Sequence, residues 1–216
     1  MPLGADLACL IIDVISPSDY LFAMALRSII TIPDPLLRRV CDPVSEVDSE
    51  IRRLMDDMLE TMYDAPGIGL AASQIAIMKR VIVMDVAKRR KGEDGAEEDV
   101  APQPLALANP EVLWASDELS SYEEGCLSIP DFYEEVVRPA RVRVGYLDRK
   151  GERQILEADG ILATCVQHEI DHLNGVLFID HISRLKRERI VKKFTKAVKR
   201  DGPSPDKAKA KAPSIA

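Results

Sequence analysis

The sequence predicts an α+β fold: a single compact domain with short antiparallel sheets around a central helix, plus a C-terminal helix. Three observations predict it. Apolar residues recur at helical spacing along 48–64, short β-rich runs stand at 81–86, 141–148 and 152–158, and helical stretches return at 160–173 and from about 183. Two strands joined by a tight turn pair antiparallel.

The elements follow in chain order. Residues 1–22, "MPLGADLACLIIDVISPSDYLF", hold no Lys or Arg, so they lack the basic start of a signal peptide and the Arg-rich face of a transit peptide. "MALRSIITIPDPLLRRV" then reads as a fresh beginning at Met24. The expected organisation is therefore an N-terminal extension of unclear role at 1–23, a folded domain at 24–200 and a disordered basic tail at 201–216. Within the domain, Ile51, Leu54, Met55, Met58, Leu59 and Met62 form one stripe of a helix that Asp48 or Ser49 can cap. That stripe is core rather than a cofactor box. "VIVMDV" at 81–86 reads as a buried strand, and the charged, Gly/Pro-rich 88–104 as a mobile surface loop. "RVRVGYLD" and "ERQILEA" read as two strands turning at Lys150-Gly151. Asn174-Gly175 closes the helix over 160–173, and a last helix runs from about Ser183 to Arg200. No internal repeat is present.

Composition narrows the class. A hydrophobic content of 46% and a charged content of 30% are those of a soluble globular protein, and no apolar run reaches membrane-span length. Cys9, Cys41, Cys126 and Cys165 form no CxxC pair and read as cytosolic thiols. The net charge of −7 conceals an asymmetry. Residues 184–216 carry 12 basic and 3 acidic side chains, net +9, against net −16 for the rest. An acidic body with a basic arm points to an anionic partner for the arm.

The chemistry concentrates in "QHEIDHLNG" at 167–175, which holds two of the three histidines. On a helix, positions four apart share a face, so His168 and His172 can aim two imidazoles at one metal ion, while Glu169 can reach a water beside it. A solvated helix with two histidines on one stripe is the bland alternative. The third ligand is less obvious. Phe178 stands where one protease spacing would need His, His181 lies outside that spacing, and Glu188 is a weak option. Cys126, in "EEGCLSIP", is the better candidate, since Cys-His-His leaves one tetrahedral position open for water. Cys165 reads as a small buried residue. "GIGLAASQ" at 67–74 lacks a phosphate loop's Lys, but its glycines let a ligand approach the backbone and Gln74 offers an amide.

Together, "GIGLAASQ", "EGCLS" and "QHEIDH", in this order, resemble the three signature motifs of bacterial peptide deformylase, over about residues 25–200. The resemblance implies a hydrolase that removes the formyl group from the N-terminal formyl-methionine of new polypeptides in the cytoplasm, releasing formate. It implies that Cys126, His168 and His172 bind ferrous iron, with zinc, nickel or cobalt as substitutes. A metal-bound water would attack the formyl carbon, and Glu169 would take its proton and pass it to the leaving amine. Gln74, the backbone N–H of Leu127 and the metal would hold the oxyanion. Gly69 would pair with the substrate backbone, and Ile68, Tyr122, Glu124, Gly125, Ile161, Cys165 and His168 would form the methionine pocket. Several family members carry Arg where Tyr133 stands here, which leaves preference beyond methionine open. Arg138 matches a further family Arg and is expected to pair with Asp171. The implied partners are formylmethionyl nascent peptides and, through the basic helix, the ribosome surface; neither a membrane nor DNA is expected. A metalloprotease, or a metal- or RNA-binding module, are the rival classes.

Overall fold

The methionine stripe decides where the first helix lies. In the computed structural model, which describes residues 25–87 and 101–201, α1 spans Ser49–Asp64 and buries Leu54, Met55, Met58 and Met62. Asp48 is its cap: Oδ1 accepts the N–H of Ile51 at 2.9 Å. Between Asp48 and Ser49, the structure selects Asp48.

Seven strands follow: β1 (Gly69–Ala71), β2 (Val81–Met84), β3 (Leu105–Ala115), β4 (Leu119–Cys126), β5 (Ile129–Pro139), β6 (Arg141–Leu147) and β7 (Arg153–Asp159). They form a five-stranded sheet in the order β1-β2-β3-β6-β7 and a separate β4-β5 hairpin. Every pairing between these strands is antiparallel. The period-two alternation sorts the sheet's side chains. Leu70, Val81, Val83 and Ala108 meet the α1 methionines, whereas Ala71, Ile82, Met84 and Leu107 meet the helix α2 (Gly160–Leu173). A third cluster joins Ile129 and Val136 of the hairpin to Leu177, Phe178 and Ile179, and to Ile190 of the last helix, α3 (Arg184–Asp201). Helix α2 therefore lies between the large sheet and the hairpin, which makes it the central helix.

The β6–β7 turn stands where expected, with Gly151 at φ 81 and its N–H bonded to Asp148 O. Three strands carry no clear sequence signal. In β3, Asn109-Pro110 reads as a breaker, yet Asn109 sits at φ 51 beside a register shift, so the strand passes through on a bulge. β4, "LSSYEEGC", is mostly polar, and β5 is bracketed by Pro130 and Pro139 with Asp131 at φ 65. Strand β2 ends at Met84, two residues short of the expected run, because Asp85 turns to accept Tyr63 Oη–H at 2.6 Å and Ala87 N–H at 3.0 Å. Residues 101–104 have no regular structure and α3 includes Asp201, one residue beyond the expected boundary. The extension at 1–23, the proposed start at Met24, most of the 88–104 loop and the tail from 202 lie outside the described residues.

Loss of the cap gives a direct check on α1. Asp48→Ala is expected to lower stability by about 1 kcal/mol in urea unfolding, whereas Ser49→Ala stays within about 0.5 kcal/mol.

Candidate metal centre

Helix α2 is buried along most of its length, with His168, Glu169 and His172 all inside. Its end is fixed by close packing. Gly175 has φ +72, and a Cβ there would lie 2.5 Å from Arg38 O, so the turn needs glycine. Cys126 arrives from the other side, as the last residue of β4. A register shift between Gly125 and Cys126 breaks the regular pairing just there, which re-aims the side chain. The thiol Sγ comes to 3.2 Å from His172 Nε2, and one ligand atom from each of Cys126, His168 and His172 falls within 4.8 Å of the others. Cys126, rather than any downstream residue, completes the group. His181 instead contacts Asp171 Oδ2 through Nε2 at 2.8 Å, and Glu188 is exposed and paired with Arg184. Phe178 stacks near the His168 ring at 6.2 Å between centroids.

An ion network holds His168. Its Nδ1 lies 2.8 Å from Glu124 Oε2, which leaves Nε2 to face the site. Glu124 is gripped twice by Arg138, through Nε at 2.5 Å and Nη2 at 3.0 Å, and Arg138 Nη1 reaches Asp171 Oδ2 at 2.8 Å. The expected Arg138–Asp171 pair is present and is one arm of a larger arrangement. Burial alone would raise Glu124, but hydrogen bonds and charge from His168 and Arg138 hold its carboxyl down at about 2. Burial opposes protonation of His168 too, yet its contacts with Cys126 and Glu124 carry it well above the ordinary value. His172 goes the other way: burial, then the charges of His168, Arg138 and Arg38, push it well down, so its imidazole is neutral.

The remaining expected residues converge on one cavity. Ile68, Gly69, Gln74, Tyr122, Glu124, Gly125, Leu127, Ile161, Cys165, His168 and Glu169 all line it. Glu124 belongs to the wall, but its carboxylate is directed at His168 and Arg138. Gln74 is oriented at both ends: Oε1 accepts Ala71 N–H at 2.8 Å, while Nε2 donates to Ser128 Oγ at 3.2 Å and lies 3.5 Å from Cys126 Sγ. Ser128 belongs to this arrangement although no local pattern marks it; its place within "EGCLS" is the one signal the sequence carries. Cys165 is not in the ligand group; its Sγ lies 3.6 Å from Ile68 O. A Cβ at Gly69 would sit 2.3 Å from Glu169 Oε1 and 2.9 Å from Cys165 Sγ, so any larger residue there would displace one or both side chains. Thr164, Pro130, Asp131 and Tyr133 complete the wall, and only Tyr133 stood out in the sequence.

The family model for polypeptide deformylase matches residues 26–188. The chain belongs to the polypeptide deformylase family. Peptide deformylase of Methylocella silvestris is 71% identical over 185 residues, 86% of this chain and 91% of that protein. The one from Rhizobium meliloti is 59% identical, covering 83% of this chain and 98% of its own. Among solved structures, peptide deformylase from Ehrlichia chaffeensis is 40% identical with a TM-score of 0.74, covering 82% of this chain and 99% of that one. The same protein is also known in complex with actinonin.

The donor set of this deformylase-family chain fits a metal ion. One thiol and two imidazoles converge, one imidazole being held neutral by burial, and ligation requires the deprotonated forms. Among the described residues, the buried Glu169 Oε2 has no hydrogen-bond partner, which leaves an acceptor unused in the wall of the same cavity. Cys126→Ser is expected to lower metal content sharply in anaerobically purified protein, as read by elemental analysis. Cys165→Ser should leave it at one ion per chain. Equal retention in the two variants would remove Cys126 from the site.

Proposed function

We propose that this chain is a metal-dependent hydrolase that removes the formyl group from the N-terminal formyl-methionine of newly made polypeptides, releasing formate. One observation carries the reading. A buried carboxylate with an unpartnered oxygen, Glu169, and an oriented amide, Gln74, flank a Cys-His-His group on the wall of a cavity beside an edge strand. Cys126, His168 and His172 would hold the metal. We take it to be ferrous iron, with zinc, nickel or cobalt able to replace it; the donor set suits all four. The ion supplies Lewis acidity toward a water and toward the formyl oxygen.

The chain's own residues do the rest. Glu169 accepts a proton from the attacking water and returns one to the leaving nitrogen. Water thus adds to the formyl carbon, the C–N bond breaks, and formate and a free amine result. Burial pushes Glu169 up to about 7, which suits a group that both takes and gives a proton near neutrality. A bound cation would draw that value down. Gln74 Nε2 and the Leu127 N–H serve as donors to the developing oxyanion. β1 pairs with β2 on one side only, so Gly69 can bond an extended substrate on the other. Ile68, Tyr122, Gly125, Ile161 and Cys165 receive the methionine side chain, with Glu124 and His168 behind them. Tyr133, packed over Gly125, bounds the cavity beyond that pocket. Such a substrate places the enzyme in the cytoplasm with the translating ribosome.

The basic helix supplies the second half of this reading. α3 docks through Ile190, 2% exposed, and through Phe194, whose ring lies 5.4 Å from that of Phe132. Val191, next to Ile190, is exposed. Lys186 bonds Glu134 at 2.6 Å, Arg187 reaches Asp180 at 3.3 Å and Lys193 stands over the Phe132 ring. These cations hold the helix to the body. Lys192 and Lys196 make no ion pair among the described residues and line a groove with Arg38 and Arg187, whose Asp180 partner and Glu188, paired with Arg184, also border it. We assign them to phosphate contact on the ribosome surface, a contact that weakens steeply with salt.

Two outcomes test the proposal. Glu169→Ala should keep one metal per chain while turnover of a formyl-methionyl peptide falls by roughly two to four decades; loss of the metal as well would make Glu169 a ligand. Lys192→Glu with Lys196→Glu should reduce co-sedimentation with ribosomes at low salt and leave turnover of a short formyl-peptide unchanged. Undiminished co-sedimentation would reduce α3 to a packed, solvated end of the domain.

A further inference from the structure

Helix α1 buries a carboxylate that its apolar stripe does not account for. The Asp57 side chain is 3% exposed, and the first described residues occupy both of its oxygens. Oδ1 accepts the backbone N–H of Ala25 at 3.0 Å, while Oδ2 accepts Arg27 Nε at 3.0 Å and Nη2 at 2.6 Å. One turn on, Thr61 Oγ1 accepts the Arg27 N–H at 3.0 Å and donates to Asp57 O at 2.7 Å. The pair of side chains reads out positions 25 and 27 by backbone and by charge. Ala25 itself is exposed, with its N–H held by Asp57.

The residue before Ala25 is Met24, and the family match begins one residue after Ala25. A methionine followed by a side chain as small as alanine's is open to an aminopeptidase, provided its own amine is free. We propose that Asp57 is a receptor for the α-ammonium of Ala25, and that the working chain is made from Met24 and processed to begin at Ala25.

The chemistry runs in two hydrolyses. Water cleaves the formamide of formyl-Met24, giving formate and a free amine. A second water then cleaves the Met24–Ala25 peptide bond, releasing methionine and leaving an ammonium at Ala25. The first step rests on the deformylase reading above and makes this chain a substrate of its own activity; the ammonium site does not depend on it. An ammonium keeps the 3.0 Å bond that the peptide N–H makes, adds a charge opposite to the carboxylate, and leaves its other protons to water. The N-terminus is thereby tied to α1, where chain ends ordinarily fray.

Two measurements decide this. Intact mass and N-terminal sequencing of the protein from the cells that encode it should give Ala25 as the first residue. The α-amine of that protein should react with an acylating reagent at neutral pH about three- to tenfold more slowly than in a variant with Gly-Gly inserted between Met24 and Ala25, because pairing depletes the free base. Asp57→Asn should bring the Ala25 rate up to that of the inserted variant. If Asp57→Asn fails to fold, the inserted variant still supplies the comparison. A first residue upstream of 25, or equal acylation rates with and without the insertion, overturns the proposal. Failure to hydrolyse formyl-methionyl peptides would instead sink the deformylase reading and leave the Ala25 result standing.

Discussion

The Arg138–Glu124 pair is the interaction on which the site depends. The two side chains are 5% and 4% exposed, and either charge alone would be costly at that depth. Together they are tolerated because nearly every polar atom is used. Arg138 forks onto both Glu124 oxygens and spends its third nitrogen on Asp171, while Glu124 keeps one lone pair for His168. Those four residues come from β4, β5 and α2, so one network clamps the hairpin onto the helix. Cys126 lies two residues beyond Glu124 on the same strand. Fixing Glu124 against α2 therefore also fixes how closely the thiol approaches His172. A lysine in place of Arg138 could satisfy the charge but not the three-way geometry.

Around this clamp the protein settles most of its buried charge and leaves a remainder at one point. Asp171 is shared by Arg138 and His181, and Asp180 by Arg38 and Arg187. Among the described residues Glu169 sits buried with no counterion in contact and one oxygen unpartnered, raised by burial to about 7, beside a His172 that burial keeps neutral. A carboxylate in that setting is ready to exchange a proton. A cation placed among Cys126, His168 and His172 would supply the positive charge that the surroundings lack, and the same burial that raises Glu169 strengthens every electrostatic contact made there.

Periodicity made the helices and the ligand spacing legible. The α1 stripe, the turn at Gly151, the close of α2 at Asn174-Gly175 and the His168/His172 face all follow from local chemistry, and each stands where the residues put it. The three-motif resemblance brought in Leu127 and gave Gln74 and Gly69 their roles; these residues share no local pattern with α2 and meet it only through the tertiary fold. The strands β3, β4 and β5 were illegible for a physical reason. Their signal is spread over bulges, prolines and positive φ at Asn109 and Asp131, and they are stabilised by partners far away in sequence. Asp57 and Thr61 were hidden for the same reason. Both lie on the buried side of α1, but their partners arrive from residues 25 and 27, which no helical period reports.

Chain order explains why a helix with this histidine spacing need not belong to a protease. Where a third ligand comes from downstream, the segment after the helix has to fold back over the metal. Here that segment leaves at once: Gly175 packs against the Arg38 backbone, Phe178 enters the third core cluster, and His181 turns to Asp171. The third candidate ligand, Cys126, comes instead from the β4–β5 hairpin, on the far side of α2 from the large sheet. The opening that remains lies between the hairpin and β1, and the unpaired edge of β1 runs along it. A strand of only three residues gives a short ladder, which suits a substrate held near its end rather than along its length. Gly69 sets how close such a ladder could come to Glu169, since a Cβ there would lie 2.3 Å from Oε1. On the proposed reading, the source of that ligand would fix both the direction from which a peptide enters and the part of it that reaches Glu169.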